Sequence, residues 1–242
     1  MADRVYPPVI ATCRATFAAM GLRFQQRGCA NVPTSGGAVL AANHVSYLDF
    51  IFVGMTARPS HRLVRFMAKE SVFEHPVAGP LMRGMYHIPV DREAGASSYV
   101  AALRALKAGE VVGVFPEATI SRAFELKDFK SGVTRMAMAA GVPLVPTITW
   151  GGQRIMTKGH SRDFRRGKTI SLAVGEPLHP TRRDDQDEVT DELRSRMSAL
   201  LEETIERHPD RPKDDEDRWW IPARYGGTAP TLEEAAALDH RD

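Results

Sequence analysis

The 242-residue sequence predicts an α/β fold: a single domain with a central, largely parallel sheet flanked by helices, an amphipathic N-terminal helix and an extended C-terminal tail. Three observations predict it. Short apolar runs bounded by Gly, Pro or charge recur along the chain. Segments with apolar residues at helical spacing alternate with them. The balance of 43% hydrophobic and 26% charged residues is that of a globular chain able to bury a sizeable core.

The run Ala38-Val39-Leu40-Ala41-Ala42, after Gly36-Gly37, reads as a short buried strand that ends directly at Asn43-His44. Further strands are expected at Leu63–Met67, Tyr86–Val90, Val111–Phe115, Leu144–Trp150 and Thr169–Val174. Helices are expected over Ser97–Lys107, with Val100, Leu103 and Leu106 on one side, and over Glu188–Arg207, with Leu193, Met197, Leu200, Leu201 and Ile205 at helical spacing. In an alternating α/β chain, function gathers at loops leaving strand ends, where both His44 and Glu117 fall.

Residues 9–24 place Val9, Cys13, Phe17, Met20 and Phe24 at helical spacing, interrupted by Arg14 and Arg23. This is either an interfacial helix with snorkelling arginines or a plain amphipathic helix packed on the domain. The chain is therefore divided into an N-terminal helical segment (1–30) with possible membrane contact, an α/β domain (31–208) and a polar tail (209–242). The tail turns to Pro, Gly, Asp and Glu and lacks the apolar content to build another domain. Trp219-Trp220 is its exception, read as a pin onto the domain or as a membrane-interface contact.

The formal charge of +2 averages over uneven segments. Residues 154–168 are basic, suiting anionic lipid headgroups, a phosphorylated substrate or simply a solvated loop. The acidic stretches 184–192 and 214–217 offset them and argue against a nucleic-acid partner. Cys13 and Cys29 have neither metal-ligand spacing nor disulfide density, so both are read as reduced thiols. No run approaches the ~20 apolar residues needed to span a bilayer, and the N-terminus lacks an export signal. The expected location is the cytoplasmic side of the cell membrane, peripherally bound.

Asn43-His44-Val45-Ser46-Tyr47-Leu48-Asp49 sets an imidazole and a carboxylate five residues apart at a strand-to-helix transition. A carboxylate on Nδ1 would fix the tautomer, turn Nε2 outward and stabilise the imidazolium formed as a hydroxyl is deprotonated. Five residues of regular helix turn through roughly 500°, which would point the two side chains apart. The spacing therefore requires His44 to lie before the helix and Asp49 within its first turns. Amides near the Asn43–His44 turn or the helix start are the expected oxyanion donors.

This pair opens an ordered series that resembles the glycerolipid acyltransferase family, which includes 1-acylglycerol-3-phosphate acyltransferases. Asn43-His44-x4-Asp49 resembles its first motif. The stretch from Ala68-Lys69-Glu70 through Pro76 and Gly84 to Ile88-Pro89-Val90-Asp91-Arg92 resembles the second. Phe115-Pro116-Glu117-Ala118-Thr119-Ile120-Ser121 is similar to the third, and Val142-Pro143-Leu144-Val145-Pro146 to the fourth, with Phe129-Lys130-Ser131-Gly132 between them.

The resemblance implies His44 and Asp49 as the catalytic pair, with Asn43, Arg92, Glu117, Arg122 and Lys130 at the substrate. It implies acyl-CoA or acyl-carrier protein as donor, a lysophospholipid acceptor, an anionic membrane surface, and no metal or cofactor. Lysophosphatidate is the leading acceptor. Glu117 is expected to orient either the acceptor or the active-site loop. The third motif departs from the family where Ala118 replaces a Gly and Ile120 replaces a phosphate-binding Arg, a contact isoleucine cannot make. Another lipid or glycolipid acceptor, a hydrolase or a non-catalytic lipid-binding relative are the alternatives. No G-x-S-x-G elbow is present, which weakens the serine-esterase form of the hydrolase.

Overall fold

A computed structural model describes residues 3–91 and 95–239. Seven strands form one sheet: β1 (Arg23–Arg27), β2 (Ala38–Ala42), β3 (Val64–Lys69), β4 (Ile88–Val90), β5 (Val111–Val114), β6 (Leu144–Trp150) and β7 (Thr169–Val174), in the order β1-β7-β6-β2-β5-β3-β4. All neighbours run parallel except β6 and β7, so β1 and β7 oppose the other five.

Eight helices accompany the strands among the described residues: α1 (Tyr6–Ala19), α2 (Asp49–Thr56), α3 (Glu70–Glu74), α4 (Ala78–Gly84), α5 (Gly95–Lys107), α6 (Gly132–Ala140), α7 (Gln186–Arg207) and α8 (Leu232–Asp239). Strand β2 lies at the centre, and all five of its residues are buried, as a strand covered on both faces requires. Alternation along it divides the core. Val39 and Ala41 face Leu106 of α5, Val133 of α6 and Leu193 of α7. Ala38, Leu40 and Ala42 face Val53 and the α2 side. In α7, Leu193, Met197, Leu201 and Ile205 recur every fourth residue, making one apolar stripe on the sheet. Its N-cap Asp185 accepts from the amides of Asp187 and Glu188 at 2.8 and 3.1 Å.

The architecture and the six expected strands stand as the sequence predicts. Two segments differ. The N-terminal helix stops at Ala19, and Gly21, at φ +59°, turns the chain so that Phe24 enters edge strand β1 instead of extending the helix. Along α1, Phe17 packs on Phe24 and Phe52 with ring centroids 5.7 and 5.5 Å away.

The segment after Pro209 is not an extended tail but lies back against the domain. Trp220 is fully buried, its ring 6.4 Å from that of Trp150. Trp219 stacks on His160 at 4.1 Å. The segment's few large apolar groups are aimed inward, so docking is possible without a core of its own.

Candidate active site

The turn between β2 and α2 delivers the histidine and carboxylate as the spacing requires. His44 lies in the turn and Asp49 is the first residue of α2, where a negative charge suits the helix N-terminus. His44 Nδ1 is 3.0 Å from Asp49 Oδ2. The same oxygen accepts the amides of Val45 and Ser46, both at 2.7 Å, while Oδ1 accepts the Thr149 hydroxyl at 2.8 Å. Asp49 is wholly buried, and this set of donors offsets the cost of removing its charge from water. The His44 side chain keeps 21% of its surface open, which leaves an edge for substrate.

Thr149 also anchors the turn from behind. Its amide donates to Asn43 Oδ1 at 2.7 Å, and Asn43 Nδ2 donates to its carbonyl at 3.0 Å. Asn43 is therefore a buried tie between β2 and β6, with one bond made at each end of its amide. The Ser46 hydroxyl donates to the Met156 carbonyl at 2.8 Å, and that of Thr157 to the Val45 carbonyl at 2.7 Å.

Glu117 approaches from the loop after β5. Its Oε1 accepts the His44 amide at 2.9 Å and its Oε2 the Lys127 amide at 3.1 Å. It joins the His44 turn to the 115–131 segment, the geometry that the loop-orienting role requires. Burial raises its carboxyl to about 8, against the lowering effect of the two amides and with a further push upward from the Asp49 charge. The Ser121 amide donates to the His44 carbonyl at 2.7 Å, tying the same two segments again.

Of the two places expected for oxyanion donors, these bonds occupy the first, the Asn43–His44 turn. The amides of Asn43, His44, Val45 and Ser46 are given to Thr147, Glu117 and Asp49 respectively, the last accepting two. The four amides from Asn43 to Ser46 are thus all engaged within the protein.

The other expected substrate residues separate. Arg92 lies outside the described residues. Arg122 points into an ion cluster, with Nε 3.3 Å from Asp239 Oδ1. Lys130 is exposed, and its amide donates to the Pro116 carbonyl at 2.9 Å, bracing the Glu117 loop. Ala118 has φ +61°, a backbone suited to the glycine it replaces, and Ile120 is buried. Arg154 is bound to Asp210 at 2.6 Å and lies over the Trp220 ring at 4.4 Å.

Phe115 and Thr149 are site residues whose roles sequence reasoning missed. The Phe115 ring stacks on His44 at 4.2 Å and 20°, and Phe66 stacks behind it at 6.2 Å and 14°. Phe66 in turn lines an apolar cavity of about 780 Å³, walled by α1, α2 and α4 through residues such as Cys13, Phe17, Met55 and Leu81. A Cβ on Gly113 would come within 2.5 Å of the Phe66 ring, so glycine there gives the ring its place. The signal for Thr149 was a hydroxyl in a strand buried along its whole length, since a buried hydroxyl needs a partner.

A family model described as acyltransferase matches residues 23–150. The chain is 34% identical over 150 residues to the 1-acyl-sn-glycerol-3-phosphate acyltransferase of Bacillus subtilis, covering 62% of this chain and 70% of that one. It is 29% identical over 179 residues to the chloroplastic 1-acyl-sn-glycerol-3-phosphate acyltransferase LPAT1 of Arabidopsis thaliana, covering 72% of this chain and 48% of that protein, about half its length. The fold is similar to that of PlsC, the 1-acyl-sn-glycerophosphate (LPA) acyltransferase of Thermotoga maritima. The TM-score is 0.70 at 22% identity, over 84% of this chain and 80% of that one. These matches define an O-acyltransferase. The chain belongs to the glycerolipid acyltransferase family.

Proposed function

We propose that this chain moves a fatty acyl group from acyl-CoA or acyl-carrier protein to the free hydroxyl of a lysophospholipid, with 1-acylglycerol-3-phosphate as the leading acceptor and phosphatidic acid as product. The observation that carries the reading is the 3.0 Å contact between His44 Nδ1 and a buried Asp49, with the ring edge open to solvent. Asp49 holds the proton on Nδ1, leaving Nε2 as base. Nε2 takes the acceptor's hydroxyl proton as the oxygen attacks the thioester carbonyl carbon. The tetrahedral intermediate collapses, the ester forms, the C–S bond breaks, and the imidazolium returns the proton to the departing thiolate. The names of the relatives support the acceptor, and the apolar cavity behind Phe66 and Phe115 has the character of an acyl-chain site.

Among the described residues no helix is long and apolar enough to cross a membrane. We place the enzyme at an anionic membrane surface, where its acceptor resides and where exposed Phe164 and neighbouring Arg162, Arg165 and Arg166 would meet headgroups.

The test is mass-spectrometric product analysis with mixed acyl donors and a panel of lipid acceptors. Phosphatidic acid should accumulate, and His44→Ala should lower the rate by about 10²–10⁴. Full activity in that variant overturns the mechanism. Acceptor-independent release of free fatty acid replaces it with hydrolysis.

A further inference from the structure

Arg122, Lys127 and Lys158 come from two separate loops, those following β5 and β6, and converge on one carboxylate, that of Asp239 at the end of α8. Lys127 Nζ is 2.6 Å from Oδ2, while Lys158 Nζ and Arg122 Nε are 3.0 and 3.3 Å from Oδ1. All four side chains are largely withdrawn from solvent, at 13–23% exposure. The two lysines hold the Asp239 carboxyl below its usual range despite the opposing effect of burial. Such a three-cation cradle has the form that receives a phosphate.

The cradle adjoins the catalytic turn. The Lys127 amide binds Glu117, which binds the His44 amide. Lys158 follows Thr157, whose hydroxyl binds the Val45 carbonyl. Ile120 brings no charge, so any phosphate held beside this turn must find cations elsewhere in the chain.

The group that fills the cradle is lightly attached. Helix α8 has eight residues, and Ala235 is its sole buried side chain; Leu232 and Leu238 remain exposed. Its N-terminus is closed on itself, Thr231 donating to Glu234 through both amide and hydroxyl. Its apolar anchorage is therefore small, and Asp239 supplies its ionic one.

We infer that Arg122, Lys127 and Lys158 form the binding site for the acceptor's phosphate, and that Asp239 occupies it as an internal competitor until the acceptor displaces it. This rests on the acyl-transfer reading for the identity of the acceptor, but the cradle's affinity for a phosphomonoester can be measured without turnover. The cradle is complete only when α8 is out of it. Phosphate affinity is thus reduced by the fraction of time that Asp239 sits there.

The experiment uses the full chain in two arms. In the binding arm, calorimetry with glycerol 3-phosphate is run on His44→Ala and on His44→Ala with Asp239→Asn. The second should bind about 3–10-fold more tightly, and Arg122→Gln with Lys127→Gln should abolish binding. In the kinetic arm, Asp239→Asn should lower the KM for 1-acylglycerol-3-phosphate by a similar factor with kcat unchanged, while the KM for a monoacylglycerol stays the same. Arg122→Gln should raise the former KM about 10–100-fold.

Unchanged or weakened glycerol 3-phosphate binding in Asp239→Asn, with the melting temperature preserved, overturns the inference and leaves Asp239 as a structural staple. If Asp239→Asn unfolds the chain, Asp239→Glu serves in its place: its longer arm shifts the carboxylate, and unaltered affinity there is equally fatal. Tightened binding with no acyl transfer to any acceptor supports the cradle and refutes the proposed activity, so the two failures are distinct.

Discussion

The turn that carries His44 and the cradle that holds Asp239 lie side by side but are built in opposite ways. The His44–Asp49 contact spans five residues, and a buried strand, a helix start and Thr149 fix every donor around it. The cradle's contacts span 117, 112 and 81 residues, and one of its members rides on a short, mostly exposed helix. Local construction with a complete hydrogen-bond set suits groups that must not move during proton transfer. Construction from distant loops suits recognition, where one segment can leave and another ligand enter.

This contrast can be broken most sharply at Asp49. Asp49→Asn keeps the size of the side chain and can still accept from the turn amides, but removes the charge that steadies an imidazolium. Acyl transfer should fall by about 10²–10⁴ while the circular dichroism spectrum is retained. A loss comparable to that of a cradle variant, expressed in KM alone, would erase the distinction between the two regions.

The pH dependence of stability tests the buried side of the comparison at intermediate size. Burial lowers His87 and His208 from 6.5 to about 4. Between those values the unfolded chain binds two protons that the folded chain refuses, so stability is lost as pH falls through that window. Glu117 acts oppositely. Raised from 4.5 to about 8, it keeps a proton in the folded state that the unfolded chain releases, so stability falls as pH rises from 4.5 through 8. The sum places the maximum near pH 6.5, with flanks of about 1.4 kcal/mol per pH unit. Denaturant midpoints measured from pH 5 to 8 check it. Glu117→Gln should flatten the alkaline flank, and a midpoint that keeps rising to pH 8 would mean Glu117 is ionised at neutrality.

The smallest expected effect lies at Ala118. A left-handed backbone costs an alanine about 1–2 kcal/mol, of which glycine returns about half after its greater chain entropy is counted. Ala118→Gly should stabilise the chain by about 0.5–1 kcal/mol, seen as a melting temperature raised by a few degrees, with kcat unaltered.

What could be read from the sequence follows the same division. Strands β2 to β7 were legible because each is a compact apolar run with clear punctuation. Strand β1 was not: Arg23–Arg27 is mostly polar, and Phe24 continued a helical spacing that Gly21 had already ended. The His44–Asp49 pair was legible because it opens an ordered series of family-like motifs, and helix geometry then required His44 to precede α2. The tie that Asn43 makes to Thr149 was not legible, since only the fold brings β6 beside it. Lys127, Lys158 and Asp239 carry no local pattern at all, and only chain folding over 112 and 81 residues brings them together. In the acid-rich tail the Trp219-Trp220 pin was legible as one of two readings, whereas nothing in the sequence marked Asp239 as a second point of attachment.

Thr149 has a consequence of another kind. One residue of a fully buried strand ties the neighbouring strand through Asn43 and holds the Asp49 carboxylate through its hydroxyl. A shift of β6 at this one residue therefore loosens its tie to Asn43 and its hold on Asp49 together.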